Sequence, residues 1–332
     1  MKKLIILCSS LASLLTLCKP VLADDEPHWS DGVGIGGYSS AGLIVGRDQP
    51  AKAALNEVSL LLTWNGNSRW SFFGEFEFED PVSWNDNQRF RSYHSGLDLE
   101  RLYLDYNFSE KVNLRVGRFL TPNSRWNLLH APPLVWTSTR PLATSQLFPT
   151  GTNGAMVFGA IPYRDGAFEY QVFAELLEDQ EIDGDELEYI HVNGARFSFK
   201  NRSDIGISFL SFNEKAIGRD YRMIGLDFVT HVKETEISGE AFQRFDTQNQ
   251  DGGSGAYLQT AVPLNRLGLN NWYWITRLES FQRPDTGAAE RWLVGATWRI
   301  KPSQLLKLEF TGGSGNHPES PRGFLTSFAL FF

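Results

Sequence analysis

The chain has 332 residues, with 31 Lys and Arg against 39 Asp and Glu and a formal net charge of −8. An acidic balance with no basic run or stripe excludes nucleic acid as the partner, and 42% hydrophobic residues exclude a disordered chain. With 24 Phe, 10 Trp, 10 Tyr and 30 Gly against 3 Met, the composition leans to an all-β chain.

The first element in chain order is a leader. Lys2 and Lys3 precede an uncharged, mostly apolar stretch from Leu4 to Cys18, and Val21-Leu22-Ala23 offers small residues ahead of Asp24-Asp25-Glu26. This is the three-part pattern of a cleaved secretory signal peptide over residues 1–23. Lipidation at Cys18 is the weaker reading, because Leu17 stands where a small residue is expected and Lys19-Pro20 follows. Cleavage after Ala23 removes both cysteines, Cys8 and Cys18, so residues 24–332 are expected to form a single domain that does not rely on disulfides.

Past Ala23 no stretch approaches the ~20 apolar residues of a spanning helix. Period-two alternation recurs instead. Trp70, Phe72, Phe76 and Phe78 alternate with Ser71, Glu75, Glu77 and Glu79, and Leu102, Leu104, Tyr106 and Phe108 with Arg101, Tyr103, Asp105 and Asn107. The same pattern predicts strands over Val33–Val45, Leu55–Trp64, Trp70–Glu79, Leu97–Phe108, Val112–Arg118, Ala155–Ile161, Ala167–Leu176 and Tyr189–Lys200. It continues over Ile205–Phe212, Tyr221–His231, Glu236–Phe245, Ala256–Val262, Trp272–Phe281, Arg291–Ile300, Leu305–Thr311 and Phe324–Phe332. Several run to the ~9–11 residues of a tilted transmembrane strand, about twice the ordinary length, and the even count fits a bacterial barrel.

Short turns rich in Gly, Asn, Asp and Ser alternate with connections that are usually longer and polar. Asn65-Gly66-Asn67-Ser68 and Tyr163-Arg164-Asp165-Gly166 are among the short ones; Asp80–Ser95, Arg118–Gly154, Leu177–Glu188 and Gly312–Arg322 are the long ones. The last strand carries Phe324, Phe328, Leu330 and Phe332 on one face. Its end resembles the signal that outer-membrane assembly machinery reads, with Phe328, Leu330 and Phe332 as its residues.

The expected architecture is an all-β, antiparallel, up-and-down transmembrane barrel of about sixteen strands. Only a closed barrel pairs every strand's backbone in lipid, and sixteen strands enclose an aqueous channel unless something fills it. Trp64, Trp70, Trp272, Trp274 and Trp298 fall near strand ends, where aromatic girdles belong. Alternation turns Arg101, Arg115, Arg277, Arg291, Arg299 and Lys307 inward, facing Glu75, Glu77, Glu79, Asp105, Glu279 and Glu309. The longest connection, Arg118–Gly154, is the third outward one. It is too apolar for disorder, so it is expected to fold into the lumen. Arg118, Arg125, Trp126, Asn127, His130, Trp136 and Arg140 would then line the remaining gap or, for the arginines, pin the loop to lumenal carboxylates.

The run Val112–Asn127, with Val116-Gly117-Arg118-Phe119 followed by Pro122, resembles the corresponding segment of phosphate-selective porins. The architecture resembles sixteen-stranded trimeric porins over most of the chain. The resemblance implies a channel for passive diffusion of small hydrophilic solutes, contacts with outer-membrane lipid and lipopolysaccharide, and a homotrimer. The chain departs from the phosphate-selective pattern in its mixed rather than Lys- and Arg-rich lining.

Other constellations carry less. Asp179-x-Glu181-x-Asp183-Gly184 imitates the start of a calcium loop, but the twelfth position is Ile190 rather than Glu. His191-Val192-Asn193-Gly194 resembles part of the site of outer-membrane phospholipases, yet lacks the Ser that would attack. With 6 His and no Cys past the leader, no metal or other cofactor is expected and the chain reads as a non-enzyme. The competing class is a non-conducting barrel, plugged by its third loop and serving a structural or surface-interaction role.

Overall fold

The computed structural model describes residues 32–47, 50–66, 69–85, 92, 97–144, 146–178, 188–247, 250–284, 287–315 and 321–332. The predicted leader (residues 1–23) and residues 179–187 of the acidic run Leu177–Glu188, with its calcium-loop imitation, lie outside the described residues.

Sixteen strands follow one another: β1 (Val33–Gly46), β2 (Lys52–Asn65), β3 (Trp70–Asn85), β4 (Leu97–Ser109), β5 (Val112–Leu120), β6 (Gly151–Tyr163), β7 (Gly166–Leu177) and β8 (Tyr189–Lys200). The second half holds β9 (Ser203–Glu214), β10 (Arg219–Val232), β11 (Thr235–Asp246), β12 (Asp251–Pro263), β13 (Trp272–Arg283), β14 (Gly287–Lys301), β15 (Gln304–Ser314) and β16 (Gly323–Phe331). Each pairs with its sequence neighbours, and β16 returns to β1 to close the barrel, in antiparallel register from Tyr38 opposite Phe331 to Gly46 opposite Gly323. Closure leaves no strand edge unpaired, which is what a hydrocarbon surround demands.

Alternation fixes the two faces. On β15, Leu305, Lys307, Glu309 and Thr311 are buried on the inside while Phe310 is exposed outside. On β13, Ile275, Arg277, Glu279 and Phe281 point in, and Trp274 and Leu278 are exposed on the outside. Outward apolar residues such as Val157, Val172, Phe209, Leu226 and Leu258 continue this band around the barrel. Aromatic pairs sit on the outer face near the short-turn end: Trp272 and Trp298 stack at 5.4 Å and 4°, and Trp70 meets Tyr106 edge-on at 4.6 Å.

All sixteen expected strands are present, several longer than the alternation indicated. The long-connection end is less uniform than expected, because β9 and β10 are joined by residues 215–218 alone and β13 and β14 by 284–286. The major exception is the connection between β5 and β6, residues 121–150, whose described residues hold a four-residue helix, α1 (Arg125–Leu128), and a 3-10 turn over Leu142–Thr144.

Candidate functional site

An irregular segment buried inside a barrel carries backbone N–H and C=O groups that have no ladder to join and no water in reach, so each needs another partner. The barrel wall supplies them. Glu240 Oε1 of β11 accepts from the Trp126 N–H at 2.7 Å. Glu279 Oε2 of β13 accepts from Leu142 N–H at 2.8 Å, and Glu309 Oε1 of β15 from Ser138 N–H at 2.5 Å. Carbonyls are met by cations and hydroxyls. Arg277 donates to Thr139 O at 2.9 Å and to the hydroxyls of Thr137 and Thr139 at 2.7 Å each. Lys307 Nζ, fully buried, donates to Pro132 O at 2.8 Å and Thr137 O at 2.9 Å. Thr297 Oγ1 reaches Trp136 O at 2.8 Å, Arg283 reaches Gln146 O at 3.0 Å, and Ser208 Oγ reaches Asn123 O at 2.7 Å. Segment 121–150 is thus tied to inward residues of β9, β11 and β13 to β15.

Apolar contacts hold the same segment, and reach further round the wall. Leu142, Ala143, Leu147 and Phe148 join inward-facing Met156, Phe173, Leu210, Phe212, Met223, Phe242 and Phe281 in one buried cluster. This part of the lumen is therefore a packed apolar core, and the apolar content of the loop helps to fill it. Gly255 of β12 permits the close approach, since a Cβ there would lie 2.8 Å from Ala143 Cβ and 3.0 Å from a Leu147 methyl. Gly255→Val should overpack this contact, lowering stability by about 1–3 kcal/mol and dislodging the Leu142–Thr144 turn. Heat-induced unfolding followed by electrophoretic mobility checks the first, and altered channel conductance the second.

What remains open is a cavity of about 530 Å³ between segment 121–150 and the opposite wall, β2 to β8. One side is acidic: Glu57 from β2, Glu77 and Glu79 from β3, Asp98 and Glu100 from β4. Glu175 and Glu188 lie further round, with Arg118, His130 and Arg140 also on the lining, beside Trp126, Val135 and Phe148. His130 joins loop to acidic wall, its Nε2 3.5 Å from Glu100 Oε1 and its Nδ1 2.9 Å from Asn127 O. Glu188 pairs at 2.9 Å with Lys215 in the connection between β9 and β10, and that carboxylate holds the lysine above its usual range. A second, smaller cavity of about 100 Å³ lies between the loop and β11, β12 and β14, lined by Arg125, Trp126, Trp136, Glu236, Gln259 and Arg299 among others.

The residues singled out in the sequence distribute as follows. Glu77, Glu79, Arg118, Trp126, His130 and Arg140 line the larger cavity, whereas Arg125, Trp126, Trp136 and Arg299 line the smaller one. Asn127 is fully buried and braces the loop, donating to Thr121 O at 2.9 Å and Thr150 O at 2.7 Å and accepting from Arg140 at 2.9 Å. Glu75 ion-pairs with Arg101 and accepts from Tyr38 Oη at 2.7 Å. Asp105 and Arg115 form a two-pronged pair with both contacts at 2.8 Å. Arg277, Glu279, Lys307 and Glu309 hold the loop, and Arg291 donates to backbone carbonyls of Ser314 and Gly315. Phe328 and Leu330 lie on the outer face of β16, alternating with buried Ser327 and Ala329, and Phe332 is half exposed beyond it.

Among the described residues, a loop arginine pairs with the wall at Arg125, whose guanidinium lies 3.4 Å from Asp204. The wall carboxylates otherwise go to loop N–H groups, because an unpaired buried amide is costly while an arginine can turn to loop carbonyls, as Arg140 does to Thr144 O at 2.7 Å. Sequence reasoning missed Glu236, Glu240, Arg283 and Thr297 among the residues that grip the loop; the alternation of β11, Glu236-x-Ser238-x-Glu240, already turns its two glutamates inward. It also missed Glu57, Asp98 and Glu100 on the cavity. Glu100 escaped because the register shifts opposite Glu75 and Phe76, so that Glu100 and Arg101 both face in and the period of two fails there.

No protein-family model matches the chain. An uncharacterized protein of Aquifex aeolicus (strain VF5) is 33% identical over 131 residues, 39% of this chain, and the chain spans only 29% of that relative's length. Among solved structures, the outer-membrane OmpT of Vibrio cholerae superposes with a TM-score of 0.62 over 92% of this chain and 100% of its own, at 9% identity. The anion-selective porin from Comamonas acidovorans gives 0.58 over 90% and 97%, at 14% identity. A mutant of the Rh. blastica porin gives 0.53 over 90% and 100%, at 11% identity. The fold is that of the outer-membrane porin barrels. At such identities the likeness is one of fold alone.

Proposed function

We propose that this chain is an outer-membrane porin, a channel through which small hydrophilic solutes cross by passive diffusion. The observation that carries the reading is the charged cavity of about 530 Å³ left between a tightly held internal loop and the β2 to β8 wall of a closed sixteen-strand barrel. The mechanism needs no moving part. The barrel supplies the hole and the apolar outer band seats it in lipid. Segment 121–150 narrows the hole from one side, and fixed charges act at close range on whatever passes. Phosphate selectivity does not belong to this reading, because carboxylates outnumber cations on the cavity lining.

We further propose that the leader is cleaved on export, that the strands are assembled with help of the Phe328, Leu330 and Phe332 face, and that the barrels associate as trimers. One of the similar solved structures is a trimer form of OmpT from Vibrio cholerae. A non-conducting barrel is the second reading, favoured by the apolar cluster that packs segment 121–150 inside the barrel.

Single-channel recording of the refolded chain, residues 24–332, in a planar bilayer decides between them. The porin reading expects stepwise conductance, with steps grouped in threes for a trimer. A folded barrel that gives no steps would establish the plug.

A further inference from the structure

The charges inside the barrel do not balance locally, and their surplus lies along the open side. On the wall, most arginines are already committed to an acid: Arg101 to Glu75, Arg115 to Asp105, Arg196 to Asp227, Arg277 to Glu279, and Arg244 with Arg283 to Glu214. Among the described residues no cation lies within ion-pair distance of Glu57, Glu77 or Asp98. These three share the lining of the larger cavity with Glu79 and Glu100.

Backbone register makes the crowding deliberate. Glu57 and Glu79 are direct cross-strand partners, and so are Glu77 and Asp98. Like charges directly opposite each other on adjacent strands are unfavourable, and carboxylates this close do not all ionise unless a cation relieves them. The cavity itself supplies the second, independent half of the argument. The apolar cluster of Phe148, Phe242, Phe281 and their neighbours fills lumen space beside the cavity, and the cavity that stays open is lined by the carboxylates, so a solute passing through it runs beside them. Across the gap, on segment 121–150, stands Arg140 with the apolar faces of Val135 and Phe148, while Arg118 lines the cavity from β5 on the wall side. Low-dielectric walls of this kind focus the field of the acidic side.

We propose that the pathway is cation-selective, carrying small inorganic and amine-bearing cations in preference to anions, with Glu57, Glu77, Glu79 and Asp98 as the residues that set the sign. The proposal rests on the channel reading given above. Arg140, on the loop side, would then act as a counterweight that keeps a cation against the acidic wall, and Arg118, on the wall itself, would offset part of its negative charge.

The test is the reversal potential of the refolded chain in a planar bilayer under a tenfold potassium chloride gradient. The expected result is a potential of the sign that marks potassium as the more permeant ion. The variant E57Q/E79Q/D98N should bring the potassium-to-chloride permeability ratio down towards one or below it. D98N alone, at an exposed position where folding is not at stake, should lower the ratio in the same direction, and R118Q should raise it. Steps with chloride preferred, or a ratio unmoved by D98N and by the triple variant, would overturn the selectivity while leaving the channel standing. Folded barrels without any steps would overturn both.

Discussion

Arg277→Ala should destabilise the folded barrel by about 3–5 kcal/mol and increase its conductance. Arg277 is 1% exposed and its guanidinium spans two partners that belong to different parts of the chain. It pairs with Glu279 on its own strand at 3.2 Å and holds Thr137 and Thr139 of the internal loop through three hydrogen bonds of 2.7 to 2.9 Å. Removing it leaves a buried carboxylate with only the Leu142 N–H and leaves the Thr139 carbonyl unmet, the situation in which a lost buried partner is most expensive. The apolar cluster keeps Leu142 and Phe148 in place, so the freed part should be the stretch around Thr137. That stretch lines the larger cavity, which is why a gain in conductance is expected alongside the loss of stability. Thermal unfolding in detergent and single-channel recording read the two effects separately. Arg277→Lys should recover little, because one ammonium cannot reproduce the planar fork that reaches both Thr residues and Glu279. Lower stability with unchanged conductance would show that Lys307 and Thr297 suffice to hold the loop.

The fold was largely legible in the sequence because a membrane barrel writes its period of two on both faces. Lipid demands apolar side chains outside, and the lumen tolerates polar ones, so Leu306, Leu308 and Phe310 against Lys307 and Glu309 leave little room for another reading. The missed residues lie at the strand ends. β12 begins at Asp251 rather than Ala256 and β14 at Gly287 rather than Arg291, since ladder hydrogen bonds continue after the contrast between lipid and lumen has faded. The internal loop was legible only by its composition. Phe148 and Val135 announced that they needed cover, but nothing local to residues 121–150 says that Glu240, Glu279 and Glu309 provide the acceptors for its amides. Those contacts join residues more than 100 apart in the chain and exist only once the register of the intervening strands has been set. The acidic wall was half legible for a related reason: Glu77 and Glu79 follow the alternation, whereas Glu100 sits at an irregularity where the alternation breaks.

Leu278→Arg is expected to cost about 2–4 kcal/mol when the protein folds into lipid bilayers, the value for a cation on the lipid face at mid-depth. Leu278 follows Arg277 in the chain and differs from it only in the face it occupies. It stands near the middle of β13, 63% exposed, registered between Leu258 and Trp292 on the neighbouring strands, and all three point outward. A guanidinium there has no water, no carboxylate and no loop carbonyl within reach, while one residue earlier the same group is satisfied on every side. Gln282→Arg, on the same outer face but at the strand's end and exposed, is the control and should cost about 0–1 kcal/mol, as expected near the interface. Denaturant titration of folding into lipid vesicles measures both. Equal costs at the two positions would mean that this face of β13 is not in contact with lipid. The seam between subunits of an oligomer would then have to be sought there, since a subunit interface can hold a cation at mid-depth where hydrocarbon cannot.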